Sequence, residues 1–489
     1  AGTNGLLIIT KSNKCQFFTD GRYITQAHNQ LDHSNFQVYN TQERDPCEWV
    51  KENLASTTTS GYYSRYFTIK DIRKYEQVCR MVPYVNTRQS YYLKQKIVLH
   101  PIEYSGESSQ SKSKRIAEII DGAVLLTDIN SISWLLNIRN ENAQYTPHVL
   151  CRAILYKNGN VDLFIQDGKL DVDLGRHVSI FSIDELGSSL QRLDSVVIDP
   201  STTPVSIANL LKNKQIIERE DPCLLSKAIK NKTEITGAVN AHIRDGIAIA
   251  NFLHWMEINI NSGITELDAE EKILEFRRAQ NLFKQPSFST ISAFNENAAI
   301  IHYHATSNTN KVIQGNGLYL IDSGGQYLDG TTDVTRTVAI GTPTQEQIKH
   351  YTIVLKAHIA IASAIFSPGT TGGELDILAR AHLWKFGMDY MHGTGHGVGS
   401  YLSVHEGPQA ISRGNKTELM PGMIVSNEPG YYIPNEYGIR IENLMYVDKQ
   451  ENGFLSFKQL TCVPYERKLI DIQMLTADEI EWINNFSFC

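Results

Sequence analysis

Four short stretches in the C-terminal half constrain this chain more than anything else in it. Leu320-Ile-Asp-Ser-Gly-Gly-Gln-Tyr-Leu-Asp-Gly-Thr-Thr-Asp-Val-Thr-Arg-Thr337 comes first, then Met391-His-Gly-Thr-Gly-His-Gly-Val-Gly399. Ser426-Asn-Glu-Pro-Gly-Tyr-Tyr432 and Gly438-Ile-Arg-Ile-Glu-Asn443 follow. Together they offer Asp322, Asp333, His396, Glu428 and Glu442. Four carboxylates and one imidazole are too anionic to share a pocket unless cations hold them there. Two divalent ions would supply that charge, and a water shared between them would make a hydrolytic centre. Any fold for this chain has to bring these distant residues together.

The flanking apolar runs indicate how. Leu318 to Ile321 reads as a short buried strand that ends at Asp322. From Asp333 to Val338 the pattern alternates, so Asp333, Thr335 and Thr337 share one face. Gly-rich and Asp-Gly turn chemistry between the two runs suits a hairpin-like connection that puts both aspartates on one side. Met423 to Asn427 is another short apolar run, leading into Glu428. Along Gly438 to Glu442, Arg440 and Glu442 point one way while Ile439 and Ile441 point into a core. Taken alone, Gly393-Thr-Gly-His-Gly397 is a weak glycine loop that lacks the strand and acidic residue of a dinucleotide fingerprint. It does let the backbone around His392 and His396 approach a centre closely.

These motifs, with Val404-His-Glu-Gly-Pro408, resemble those of the pita-bread metallopeptidases, and among them aminopeptidase P, the Xaa-Pro aminopeptidase. Weaker likeness runs through Phe18-Thr-Asp-Gly-Arg-Tyr23, Ser133-Trp-Leu-Leu-Asn-Ile-Arg139 and Ala298-Ala-Ile-Ile-His-Tyr303, as in the long, three-domain form of the family. The resemblance implies that Asp322, Asp333, His396, Glu428 and Glu442 are the five metal ligands, with Asp333 and Glu442 bridging two ions. Mn²⁺ is the favoured metal, and oxygen-rich ligation with one imidazole also admits Zn²⁺ or Co²⁺. His302, His392 and His405 match three further active-site histidines, and Arg440 would buttress the carboxylates. The implied chemistry is attack by a hydroxide held between the ions, with Glu428 as proton shuttle and His405 beside the developing oxyanion. The free N-terminal amine would bind near the second ion. His304, His350, His358 and His382 match nothing in the family and are expected to be structural.

The rest of the chain bounds this picture. A length of 489 residues admits two to four domains. The fold class expected is α/β (α+β): an α/β domain over 1–104, a second over 105–224, and a pita-bread catalytic domain over 225–489. Residues 105–114 are polar and low in complexity, a natural boundary before a helix at 115–120. A long helix should begin near Leu224 and run toward Met256, and Thr265 to Asp268 reads as a capping box. Further helices are expected at 345–366 and 374–386. The first domain looks N-terminally truncated or processed, because long aminopeptidases P carry more sequence before Ala1. A targeting signal ahead of it stays open.

A net charge of −7 without a basic stripe speaks against a nucleic-acid partner. No apolar run is long enough to span a membrane. Seven cysteines without a Cys-x-x-Cys pair suit reduced thiols in a cytoplasmic protein. The partners implied are peptides with proline at the second position, and a second copy in a homodimer. Prolidase, which cleaves Xaa-Pro dipeptides, is the nearest rival. A non-catalytic pita-bread module that binds peptides or histones is a remoter one, since such modules have eroded ligands and all five survive here.

Overall fold

The computed structural model describes residues 4–11, 14–55, 57–84, 94–166 and 168–486. By contacts the chain divides into two units: Ala1–Glu43 with Ala228–Cys489, and Arg44–Lys227.

In the larger unit one order of elements occurs twice. Helices Lys232–Asn259 and Glu266–Arg278 precede a three-stranded antiparallel sheet of Ile291–Phe294, Gly317–Ser323 and Val334–Ile340. Helices Gln345–Ala362 and Gly372–Trp384 precede antiparallel strands Ile424–Asn427, Asn443–Lys449 and Leu455–Gln459, whose sheet takes its edge strand, Ile365–Phe366, from between the two helices. Each sheet buries its helix-facing side chains. Ile249, Phe252, Ile273, Tyr319 and Ile321 pack together in the first half, and Ile353, Leu383, Val425 and Met445 in the second. Each fully buried aliphatic or aromatic side chain of this kind contributes roughly 1.5–3 kcal/mol.

The N-terminal strands Leu6–Ile9, Cys15–Thr19 and Phe36–Asn40 form a small sheet, antiparallel then parallel, that belongs to this same unit. The other unit centres on a six-stranded mixed sheet. Its order is Val178–Ser182, Val161–Ile165, Cys151–Leu155, Val124–Leu126, Ser195–Ile198 and Gln215–Glu218.

Several elements depart from the sequence reading. The helix expected from Leu224 is two helices, Cys223–Ala228 and Lys232–Asn259. The second starts at Asn231, whose side chain accepts from the Glu234 N–H while Glu234 caps back, a reciprocal pair that fixes the start. Residues 105–114 are largely helical: Ile102–Ser105, and Ser109–Glu118 capped by Ser108. Serines there act as a cap and as helix residues, where composition alone suggested a linker. The expected 345–366 helix stops at Ala362, with Ile365–Phe366 extended as an edge strand, and the expected 374–386 helix runs Gly372–Trp384. Thr265 and Asp268 do form a capping box.

Candidate metal centre

The two halves of the larger unit each send acids to one place. Strand Gly317–Ser323 pairs with Val334–Ile340 so that Asp322 lies opposite Thr335. Residues opposite each other share a face, as do residues two apart, so Asp322, Thr335 and Asp333 all project one way. Glu428 follows strand Ile424–Asn427, and Glu442 sits between Tyr437–Arg440 and Asn443–Lys449. His396 comes from the glycine loop, which pairs with Ala410–Ile411. The loop's glycines are sterically required. A Cβ on Gly395 would lie 1.9 Å from the Ser426 carbonyl oxygen, and one on Gly397 would lie 2.1 Å from that of Glu406.

Ligand atoms of Asp333, His396 and Glu442 all lie within 4.8 Å of one another. His396 Nε2 is 3.4 Å from Asp333 Oδ2 and 3.4 Å from Glu428 Oε1. His396 Nδ1 faces the Gly397 carbonyl at 2.9 Å. That carbonyl can only accept, so Nδ1 carries a proton, and Nε2 is the ring atom turned toward the acids.

The electrostatics of the acids are those of a cation site. Burial, then Asp322 and Glu428, push Asp333 well above the usual carboxylate range. Burial, then Asp333 and Glu428, do the same to Glu442, and burial raises Glu428. Buried oxygens Asp322 Oδ1 and Asp333 Oδ1 have no hydrogen-bond partner. Orphaned, mutually repelling oxygens beside an imidazole nitrogen fit divalent ions with hard oxygen donors.

Arg440, 2 % exposed, organises the surroundings. Its Nη2 donates to Asp322 Oδ2 at 2.6 Å and to the Ile301 carbonyl at 3.5 Å, just before His302. Its Nη1 donates to the Tyr432 hydroxyl, which lies 2.8 Å from His392 Nε2. Its Nε donates to the Thr335 hydroxyl, which donates in turn to Glu442 Oε2 at 2.7 Å. Ser426 donates to Glu428 Oε1 at 3.0 Å. Burial, followed by Arg440, keeps His392 well below its ordinary value. Burial, then Arg22 and Arg440, push His302 down to about 3. The His405 ring stands edge-on to His396, with centroids 4.3 Å apart.

All nine residues singled out in the sequence thus lie in this region. Tyr432, Thr335, Ser426 and Tyr23 were not singled out, although each touches one of the nine. Tyr432 was quoted in its motif, and strand alternation alone separates it from Tyr431. Nothing in the sequence points from Tyr23 to His302. His350 and His358, expected to be structural, pair with the hydroxyls of Tyr437 and Tyr465.

Residues 238–449 match the model of metallopeptidase family M24. Residues 88–234 match the creatinase/prolidase N-terminal domain, and 453–487 the C-terminal region of peptidase M24. The chain is 39% identical to Xaa-Pro aminopeptidase 1 of Dictyostelium discoideum, covering 99% of this chain and 84% of that one. Among solved structures it is similar to an X-prolyl aminopeptidase of Caenorhabditis elegans described as a cytosolic enzyme with a di-nuclear active site. That match has a TM-score of 0.92 and 32% identity, over 99% of this chain and 85% of the other. The prolidase of Pyrococcus horikoshii OT3 matches at a TM-score of 0.59 and 27% identity, over 73% of this chain and 99% of its own.

Proposed function

The chain belongs to metallopeptidase family M24, as a metallo-aminopeptidase of its Xaa-Pro branch with the pita-bread fold, and on that premise we propose how its residues divide the work. Asp322, Asp333, His396, Glu428 and Glu442 would hold two divalent ions, Mn²⁺ before Zn²⁺ or Co²⁺. When bound, the ions supply Lewis acidity and a water acidic enough to attack at neutral pH. Glu428 takes the proton of the attacking water as its oxygen adds to the carbonyl carbon of the first residue. It returns the proton to the prolyl nitrogen as the C–N bond breaks. His405 and His302 face the carbonyl side, and His392, steadied by Tyr432, lines the substrate. The free N-terminal amine would bind near the second ion and its acidic ligands, which would restrict cleavage to the chain end. An Xaa-Pro amide has no N–H, so recognition falls to the fit of the ring.

The observation that carries this reading is the convergence of Asp333, His396 and Glu442 with two partnerless aspartate oxygens. Likeness to an X-prolyl aminopeptidase over nearly the whole chain, against 73% for a prolidase, favours the aminopeptidase over the dipeptidase. A homodimer and a cytoplasmic location complete the proposal. The second draws on the cytosolic description of the Caenorhabditis elegans relative and on six free thiols among the described residues. We retain the division into 1–104, 105–224 and 225–489 as the proposed domains.

Reconstitution tests it. Protein stripped with a chelator should release no Xaa from Xaa-Pro-Yaa and should regain full activity at two equivalents of Mn²⁺ per chain. Asp333→Asn should stay inactive at any loading. Full activity at one equivalent would contradict the dinuclear assignment.

A further inference from the structure

We propose that Tyr23 is a positioning residue for His302, which makes the N-terminal turn Asp20–Tyr23 part of the substrate site. The inference rests on His302 facing substrate, as assigned above. Tyr23 is 5% exposed, and its hydroxyl lies 2.7 Å from His302 Nδ1. The two rings meet edge to face with centroids 4.9 Å apart.

The turn that presents Tyr23 is held from several sides. Arg22 Nε and Nη2 donate to the two oxygens of Asp20 at 2.9 and 2.8 Å, and the Arg22 backbone N–H donates to Asp20 Oδ1. Gly21 lies against the loop that carries His392. A Cβ there would come within 2.5 Å of Met391 Cβ and 3.2 Å of the Met391 carbonyl oxygen. The turn therefore packs on the segments of two active-site histidines, although both are far from it in the chain.

The chemistry gives Tyr23 a definite effect. His302 is half-buried and, pushed down to about 3, neutral, so one of its ring nitrogens carries hydrogen and the other is an acceptor. Imidazole nitrogen is a better acceptor than a phenol oxygen, so the phenol donates to Nδ1. The hydrogen then sits on Nε2, which makes that atom a donor suited to a substrate carbonyl oxygen. Without the hydroxyl both tautomers are open, and one of them turns a lone pair toward that oxygen.

Tyr23→Phe removes the hydroxyl and keeps the ring. It should lower kcat for Xaa-Pro-Yaa by about tenfold with KM nearly unchanged, as for one hydrogen bond expressed in the transition state. In a His302→Ala background the same change should have no further effect. A drop of equal size in both backgrounds, or wild-type kcat in Tyr23→Phe, would overturn the proposal. An independent readout is the nitrogen spectrum of protein labelled with ¹⁵N-histidine, with the His302 signals identified by their loss in His302→Ala. The proposal requires an unprotonated Nδ1 in the wild type, and a protonated Nδ1 overturns it. A wild type that cleaves no Xaa-Pro peptide would sink the functional reading and leave the tautomer to be decided by that spectrum.

Discussion

Arg440 is the side chain on which the centre most depends, because its three nitrogens reach Asp322, Tyr432 and Thr335. Replacing it with Lys keeps the charge but loses the planar fork. Arg440→Lys should weaken metal binding by roughly 10–100-fold, the usual effect of removing a partner that orients ligands. Calorimetric titration with Mn²⁺ checks this, and an unchanged affinity would count against the role. The acids also predict how the metal-free protein responds to pH. Asp333 and Glu442 are raised by burial and then by their acidic neighbours, so the folded chain binds their protons more tightly than the unfolded chain does. Their contribution to stability is therefore lost as pH rises above the ordinary carboxylate range of about 4. With EDTA, Tm should fall as pH rises above about 4, and Mn²⁺ should raise it by a margin that grows with pH. A margin that shrinks with pH would contradict this. Of the proposed ligands, Asp322, Glu428 and Glu442 were legible in sequence because each closes an apolar run, Asp333 because it opens an alternating one, and His396 because it sits in a glycine-rich motif. Their supports were not, since Tyr432 and Thr335 find partners only through strand register. Arg336 shows the same limit. It occupies the core-facing side of an alternating strand, where no charge is expected, and is satisfied by Glu442 and Val463 carbonyls and the Asn443 side chain.

Among the elements, the glycine loop and the segment around His405 hold imidazoles in place by different means. Gly395→Ala sets a Cβ 1.9 Å from the Ser426 carbonyl oxygen, so strand Ile424–Asn427 and the loop must separate. The expected result is loss of metal binding, with far-UV circular dichroism largely kept. Wild-type affinity would show that the loop can shift at little cost. Beside His405, Glu406 is paired with Lys230, both about 1% exposed. Lys230→Met strands a buried carboxylate and should cost about 3–5 kcal/mol in chemical denaturation, whereas Lys230→Met with Glu406→Gln should cost less. Equal losses would mean that the charge pairing is not the cause. Lys230 stands in the break between the two helices that the sequence reading merged. The apolar pattern continues across that break, and only Asn231 and Glu234, spaced as a cap and its third residue, mark the restart. Residues 105–114 misled in the opposite direction, because a serine-rich helix has the composition of a linker.

Across the whole molecule, repetition is the property hardest to read from sequence and plainest in the fold. Two helices followed by a sheet occur twice, and the first half supplies Asp322 and Asp333 while the second supplies His396, Glu428 and Glu442. The halves share an order of elements without a visible shared wording, since packing asks only for apolar faces at the right period. Grouping of the first 43 residues with the catalytic half was equally hidden. Short strands carry no mark of which core they join, and the link from Tyr23 to His302 is formed only in three dimensions. The central claim is that this assembly removes one residue from the front of a peptide whose second residue is proline. Its most direct test offers the Mn²⁺-loaded protein Xaa-Pro-Yaa, the dipeptide Xaa-Pro and Met-Ala-Ser together and follows the products by mass spectrometry. The account predicts release of Xaa from the tripeptide, with the dipeptide and Met-Ala-Ser left intact. Preferential cleavage of the dipeptide, or of none of the three, would contradict it.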